Sequence, residues 1–162
     1  VSLADRVIVI ARSQLGVIEA TGRNDGLPAL RYAGGRVGEP WCAHFVAWCF
    51  RQADRPLPGD VPPTPRVANP LCSVARMERI LEEHEWLRRV PEPGDIVFFL
   101  LRGISDAGNG RHVGLVETVN TATLTTIEGN SANGVHRRSY LRARIGPVVT
   151  SYGRVPDLPG ST

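Results

Sequence analysis

Pro40-Trp41-Cys42-Ala43-His44-Phe45-Val46-Ala47-Trp48-Cys49-Phe50 reads as a loop running into the first turns of a helix with a cysteine at its start. Backbone N–H groups in a helix's first turn lack partners and carry partial positive charge, so a thiolate is favoured there and can attack carbonyl carbon. A second reading fits the same residues. Cys42, Phe45, Val46, Cys49 and Phe50 fall at helical spacing, so Cys42 also suits the first position of an apolar stripe, and free cysteines are among the most buried residue types. The stretch leaves both readings open, and residues elsewhere have to decide.

Upstream, Leu3, Val7, Ile10 and Ala11 share one face, with Asp5, Arg6 and Arg12 elsewhere, so an amphipathic helix is expected over 3–15, ending near Gly16. A polar turn follows at 21–26, then a short helix through Leu27, Leu30 and Tyr32 that Gly34-Gly35 breaks. Asn24 and Asp25 offer oxygens for calcium, but the loop lacks the acidic density that six or more oxygen ligands require. The central helix is expected over 42–53. Six prolines at 56, 58, 62, 63, 65 and 70 forbid regular structure after it and favour a stiff, extended surface path. Asn69 or Ser73 then caps a helix whose inner face is Val74, Met77, Ile80, Leu81 and His84, with Glu78, Glu82 and Glu83 outside.

The second half changes period. Pro91-Glu92-Pro93-Gly94 is a strong break before 95–100, an apolar run of strand length that should be buried on both faces as the sheet's central strand. A flexible Gly/Asp/Asn loop over 103–110 delivers Arg111-His112 to a second strand, 112–119, joined by a tight connection at 120–122 to a third, 123–130. Residues 135–142 and 148–152 make further strands. Helices first and strands later predict an α+β fold with a mostly antiparallel sheet, as one domain over 1–162.

Composition narrows the function. All 19 basic residues are arginine, which excludes a lysine nucleophile, and they are scattered, with no basic stripe interleaved with aromatics to grip nucleic acid. No apolar run spans a bilayer, and no secretory signal is recognisable in this chain. Three cysteines without paired spacing argue against a disulfide framework or a structural zinc site, although a Cys49–Cys72 bridge that leaves Cys42 free fits the count.

The partner of Cys42 must come from elsewhere in the chain. His44, two positions along the helix, turns to the far face; His84 reads as a helix-flank residue near the core, and His136 lies in a polar, arginine-flanked strand at the surface. His112 enters a strand directly from a loop, with Gly114 on the same face leaving room beside it. With a three-residue loop at 120–122, His112 lies opposite Asn130 and diagonal to Glu128; a loop centred on 120 swaps those two. Either register gathers the three polar groups, whereas a one-residue slip disperses them. An acid or amide that accepts from the imidazole fixes its tautomer and aims its other nitrogen at the thiol.

In order along the chain, Trp41-Cys42-Ala43-x-Phe45-Val46-x-Trp48-Cys49, Pro93-Gly94-Asp95-Ile96-Val97-Phe98-Phe99, His112-Val113-Gly114 and Ile127-Glu128-Gly129-Asn130 resemble the CHAP family of cysteine- and histidine-dependent amidohydrolases and peptidases. The likeness runs over about 8–155. It implies a papain-like α+β fold and hydrolysis of amide bonds in bacterial peptidoglycan, within stem or cross-bridge peptides or between the sugar and the first L-alanine. It also implies Cys42 as nucleophile, His112 as base, Glu128 as the orienting acid and Asn130 as a supporting polar residue. The calcium loop of some members is not recognisable, so no metal and no cofactor are expected. The expected partner is a peptidoglycan peptide met at the bacterial cell wall by a secreted, periplasmic or phage-delivered monomer; a targeting partner or immunity protein is a further option. Rival readings are an amidase for a small non-cell-wall amide, an antibacterial effector with the same chemistry, a catalytically silent wall-binding module, and a zinc site using Cys42, Cys72 and histidines.

Overall fold

The computed structural model describes residues 1–101 and 109–157. Most of the loop expected over 103–110 lies outside them. Helix α1 (Leu3–Ser13) starts with a capping box, in which the Ser2 hydroxyl accepts from the Asp5 backbone N–H and the Asp5 carboxylate accepts from the Ser2 N–H. Its buried face is Leu3, Val7, Ile8 and Ala11, with Ile10 at the margin. The short α2 (Gly26–Arg31) corrects the expectation built on Leu27 and Leu30, which are exposed; Pro28, Ala29 and the following Tyr32 face the core instead.

Helix α3 (Cys42–Gln52) is buried on nearly every side: each residue from Cys42 to Ala47, then Cys49 and Phe50. A helix apolar all round sits inside a domain rather than on its surface. The proline-rich segment after it has no regular structure, and positions 64–68 are exposed. Its ends are nonetheless fixed to α3, since Asp60 accepts from Arg51 at 2.7 Å and from Asn69 at 2.6 Å. Asn69 and Ser73 both act as caps: Asn69 for a 3-10 turn (Pro70–Cys72), Ser73 for α4 (Val74–Glu83). His84 is a correction, because it ends α4 exposed, bonding the Ile80 carbonyl and packing on Trp86 rather than on the core.

Six strands follow: β1 (Leu87–Arg88), β2 (Ile96–Leu100), β3 (Arg111–Val119), β4 (Thr123–Ser131), β5 (Gly134–Leu141) and β6 (Val149–Gly153), with a short helix α5 (Arg142–Ile145) before the last. They pair antiparallel throughout in the order β1-β6-β2-β3-β4-β5, so the fold is α+β and papain-like. β2 is interior and buried on both faces, as its continuous apolar run requires. One face of the sheet, with Ile96, Phe98, Val113, Leu115 and Ile127, packs against α1, α3 and α4; Val97, Phe99, Val116, Leu124 and Tyr152 form a second core on the other face.

α3 can lie this close to β4 because of Gly129. A Cβ there would stand 2.6 Å from Phe45 Cβ and 2.9 Å from Trp41 Cζ3, both in the first turns of α3. Gly129→Ala is therefore expected to destabilise the fold by about 1–3 kcal/mol, measurable by denaturant unfolding, because the helix must retreat from the sheet.

Candidate active site

Cys42 is the first residue of α3 and is almost wholly buried. The first intrahelical bond runs from Phe45 N–H to Trp41 O, so the Cys42 N–H belongs to the unpaired set at the helix start. The ring of His112, near the start of β3, lies beside the Cys42 thiol, which favours its protonated form more strongly than Glu128 does. Its Nε2 is 2.9 Å from Glu128 Oε2, which leaves Nδ1 for the sulfur. The ring also stacks on Phe99 at 5.9 Å between centroids.

Burial alone would push the His112 imidazole down, but hydrogen bonds and charge from Cys42 and Glu128 outweigh it and raise the group from 6.5 to about 10. For Glu128, burial acts to raise the carboxyl; His112 first, then Thr126 and Tyr140, reverse that and hold it low. Its Oε1 accepts from Thr126 Oγ1 at 2.5 Å and from the Tyr140 hydroxyl at 2.8 Å. A buried carboxylate paired with an imidazolium and given two further donors meets the conditions for keeping charge inside a protein. Thr126 and Tyr140 were not singled out by the motifs. Thr126 lies two residues from Glu128 on the same strand face, but Tyr140 arrives through the β4–β5 register, which no local pattern encodes.

The hairpin reaches the first of the two expected registers by another route. Val119 pairs with Leu124 and Asn120 N–H bonds Thr123 O, so the turn holds only Thr121 and Ala122 between those groups. A bulge at Glu117 then shifts the pairing by one, giving Leu115 opposite Ile127, and Gly114 next to it lies against the Glu128 side chain. Glu117 itself binds Arg12 and Arg137, which holds the bulge. The room beside His112 is taken by Glu128: a Cβ on Gly114 would meet Glu128 Cγ at 2.6 Å.

Asn130 lies beside this group but does not bond the imidazole. It adopts φ 55° and stands 3.2 Å from the Asn24 amide, Glu19 Oε1 and the Trp41 backbone N–H. The orientation that satisfies both ends gives its nitrogen to Glu19 and its oxygen to Trp41 N–H. Glu19, buried and missed from sequence, also accepts from Trp41 Nε1 at 2.7 Å and Asn24 N–H at 2.9 Å. Glu19 and Asn130 thus fix the residue before Cys42. In the polar 21–26 turn the Asp25 carboxylate accepts from the Thr21 N–H and hydroxyl, and the Asn24 amide faces Asn130.

The other histidines are placed elsewhere. His44 is fully buried, held neutral by burial against the pull of Glu39 3.3 Å away, and its Nδ1 has no partner. His136 is opposite Glu128 in the β4–β5 pairing, yet its Nε2 lies over Gly134 and Glu128's oxygens go to His112, Thr126 and Tyr140. Cys49 and Cys72 are free thiols rather than a bridge. Burial pushes both up, with Glu39 adding to the effect at Cys72. A cleft of about 280 Å³ opens on Cys42, walled by Glu39, Pro40, Cys72, Ser73, Val74 and Asn109.

The family model of the CHAP domain matches residues 34–130. Two crystal structures of Ly7917, one with the hydrolysing product of MDP, share the fold at TM-scores of 0.59 and 0.57, with 20% and 19% identity. Each alignment covers 94% of this chain and 62% of the other, so the chain spans less than two thirds of Ly7917. No curated protein matches.

Because Cys42 and Glu128 both favour the protonated ring, His112 should remain imidazolium through neutral pH and lose its proton only well above 6.5, as followed by 15N NMR of the ring. Glu128→Gln and Gly114→Ala, which remove or displace the carboxylate, should each move that titration to lower pH; an unmoved titration would show that the carboxylate does not set it.

Proposed function

Because the chain belongs to the CHAP family, we propose that it is a cysteine-dependent hydrolase of amide bonds in bacterial peptidoglycan, working at the cell wall. The observation that carries the reading is the buried Cys42–His112–Glu128 set, whose Cys42 lines a cleft. A product of hydrolysis bound to Ly7917, which has the same fold, supports a hydrolytic role.

His112 holds the thiol proton, leaving Cys42 Sγ to attack the scissile carbonyl carbon. The developing oxyanion lies toward the start of α3, where the Cys42 backbone N–H donates to it. The imidazolium then gives its proton to the departing amine, the C–N bond breaks, and a thioester remains on Cys42. Water, deprotonated by the now neutral ring, attacks the thioester and releases the carboxylic acid. Throughout, Glu128 keeps the ring oriented, and Thr126 and Tyr140 keep Glu128 turned toward it. Whether the bond is in a stem peptide, in a cross-bridge or next to the sugar is decided by the ends that appear.

With purified sacculi as substrate and mass spectrometry of released fragments, the unmodified protein should create new amine and carboxyl ends. Cys42→Ala should abolish release, by about a thousandfold or more, while circular dichroism stays unchanged; His112→Ala should abolish it too, with a loss of stability from the unpaired Glu128. Glu128→Gln should lose about ten- to a hundredfold, and His136→Ala almost nothing. Equal loss from His136→Ala would reassign the base, and release by Cys42→Ala would end the thioester mechanism.

A further inference from the structure

The cleft over Cys42 holds about 280 Å³, so an extended polymer lying over it also meets the surface on either side. A groove of about 750 Å³ lies on the other flank of α4's first turns. Ser73 and Val74 wall the cleft and Ala75 and Glu78 wall the groove; Asn109 belongs to the first and Arg111 to the second. Arg111 directly precedes His112. From there the groove crosses β6 at Thr150 and Ser151 to Leu87 and Arg88 on the outer strand, three strand spacings or roughly 14 Å away.

Four guanidinium groups line it: Arg79, Arg88, Arg89 and Arg111. Arg111 is committed to Glu78 at 3.0 Å, and Glu78 is further bonded by Thr150 and Ser151 at 2.6 Å, so this carboxylate is turned into the wall. Arg79 approaches Glu83 only at 3.7 Å with both side chains exposed, a pair of little worth. Among the described residues Arg88 bonds only the carbonyls of Glu85 and Leu87, and Arg89 has no ion pair. Glu82 and Glu85 also line the groove, and neither forms an ion pair with Arg88 or Arg89 among the described residues.

We propose that this groove is a binding subsite for the anionic groups spaced along a cell-wall polymer, and that Arg88 and Arg89 hold such a group while the neighbouring bond lies over Cys42. The proposal rests on the peptidoglycan reading for its substrate. Oxyanions that a guanidinium fork recognises occur in the wall as free peptide carboxylates and as phosphodiesters of attached polymers.

The test measures binding of the Cys42→Ala protein, and turnover by the active protein, on three preparations: intact sacculi, sacculi stripped of phosphate polymers by acid, and stripped sacculi with their carboxylates amidated. Arg88→Gln/Arg89→Gln should raise the half-saturating wall concentration roughly five- to tenfold, with less effect at high salt, while circular dichroism stays unchanged. Arg66→Gln/Arg144→Gln, which removes the same charge from exposed sites outside the groove, should do nothing. Weakened binding on stripping identifies phosphate as the ligand, and weakened binding only on amidation identifies carboxylate. Equal effects of the two double variants, or none from either, overturn the groove while leaving the hydrolase reading standing. Arginine-dependent binding with no fragments released by the active protein would keep the groove and overturn the hydrolase.

Discussion

Everything at this site depends on keeping one charged pair, His112 and Glu128, out of water. An unpaired carboxylate in that position costs several kcal/mol, and the surroundings are organised to avoid that cost. Thr126 and Tyr140 complete the acceptor capacity of Glu128, Phe99 covers one face of the imidazole, and Gly114 yields the volume that the Glu128 side chain occupies. Tyr140 is raised by burial first and then by Glu128, so it remains a hydroxyl donor under all ordinary conditions. A cysteine beside such a ring meets a group whose protonated form it and Glu128 together favour.

The Ile127-Glu128-Gly129-Asn130 run divides its labour by strand alternation and by one change of backbone hand. Ile127 enters the helix-facing core, Glu128 points to His112, and Gly129 admits Phe45 and Trp41. Asn130, at positive φ, leaves the strand plane and reaches Trp41 N–H. The same four residues therefore set the orientation of the His112 ring and the height of the helix that carries the thiol. Asn and Asp tolerate the left-handed region better than other side-chain-bearing residues, which suits an asparagine to this corner.

Much of this was legible from residue order because its causes are local. The apolar run of β2, the cap of α4, and the opposition of His112 to the 128–130 corner follow from period, capping chemistry and alternation. What escaped depends on pairings distant in sequence. Residues 87–88 form a strand only because β6 lies beside them, and Leu27 and Leu30 are exposed because α2 turns Pro28 and Ala29 inward. Glu19 is one acid among many until Trp41 Nε1 and Asn24 N–H come to it. The hairpin shows the limit most clearly: a wrong loop length gave the right register, because the bulge at Glu117 compensates a turn one residue shorter than expected.

That bulge also links the site to the N-terminal helix. Glu117 is buried and holds Arg12 of α1 and Arg137 of β5 at 2.6 Å each, so the extra residue in β3 is tied from both sides. Both arginines are half-exposed, which limits what each pair adds to stability, but the carboxylate is not. Leaving it unpaired would press the strand to eject Glu117, and ejecting it means shifting the register that sets Gly114 against Glu128. A side chain of odd parity on one strand, placed by a bulge and held by two surface arginines, thus protects the even-parity alignment on which the imidazole depends.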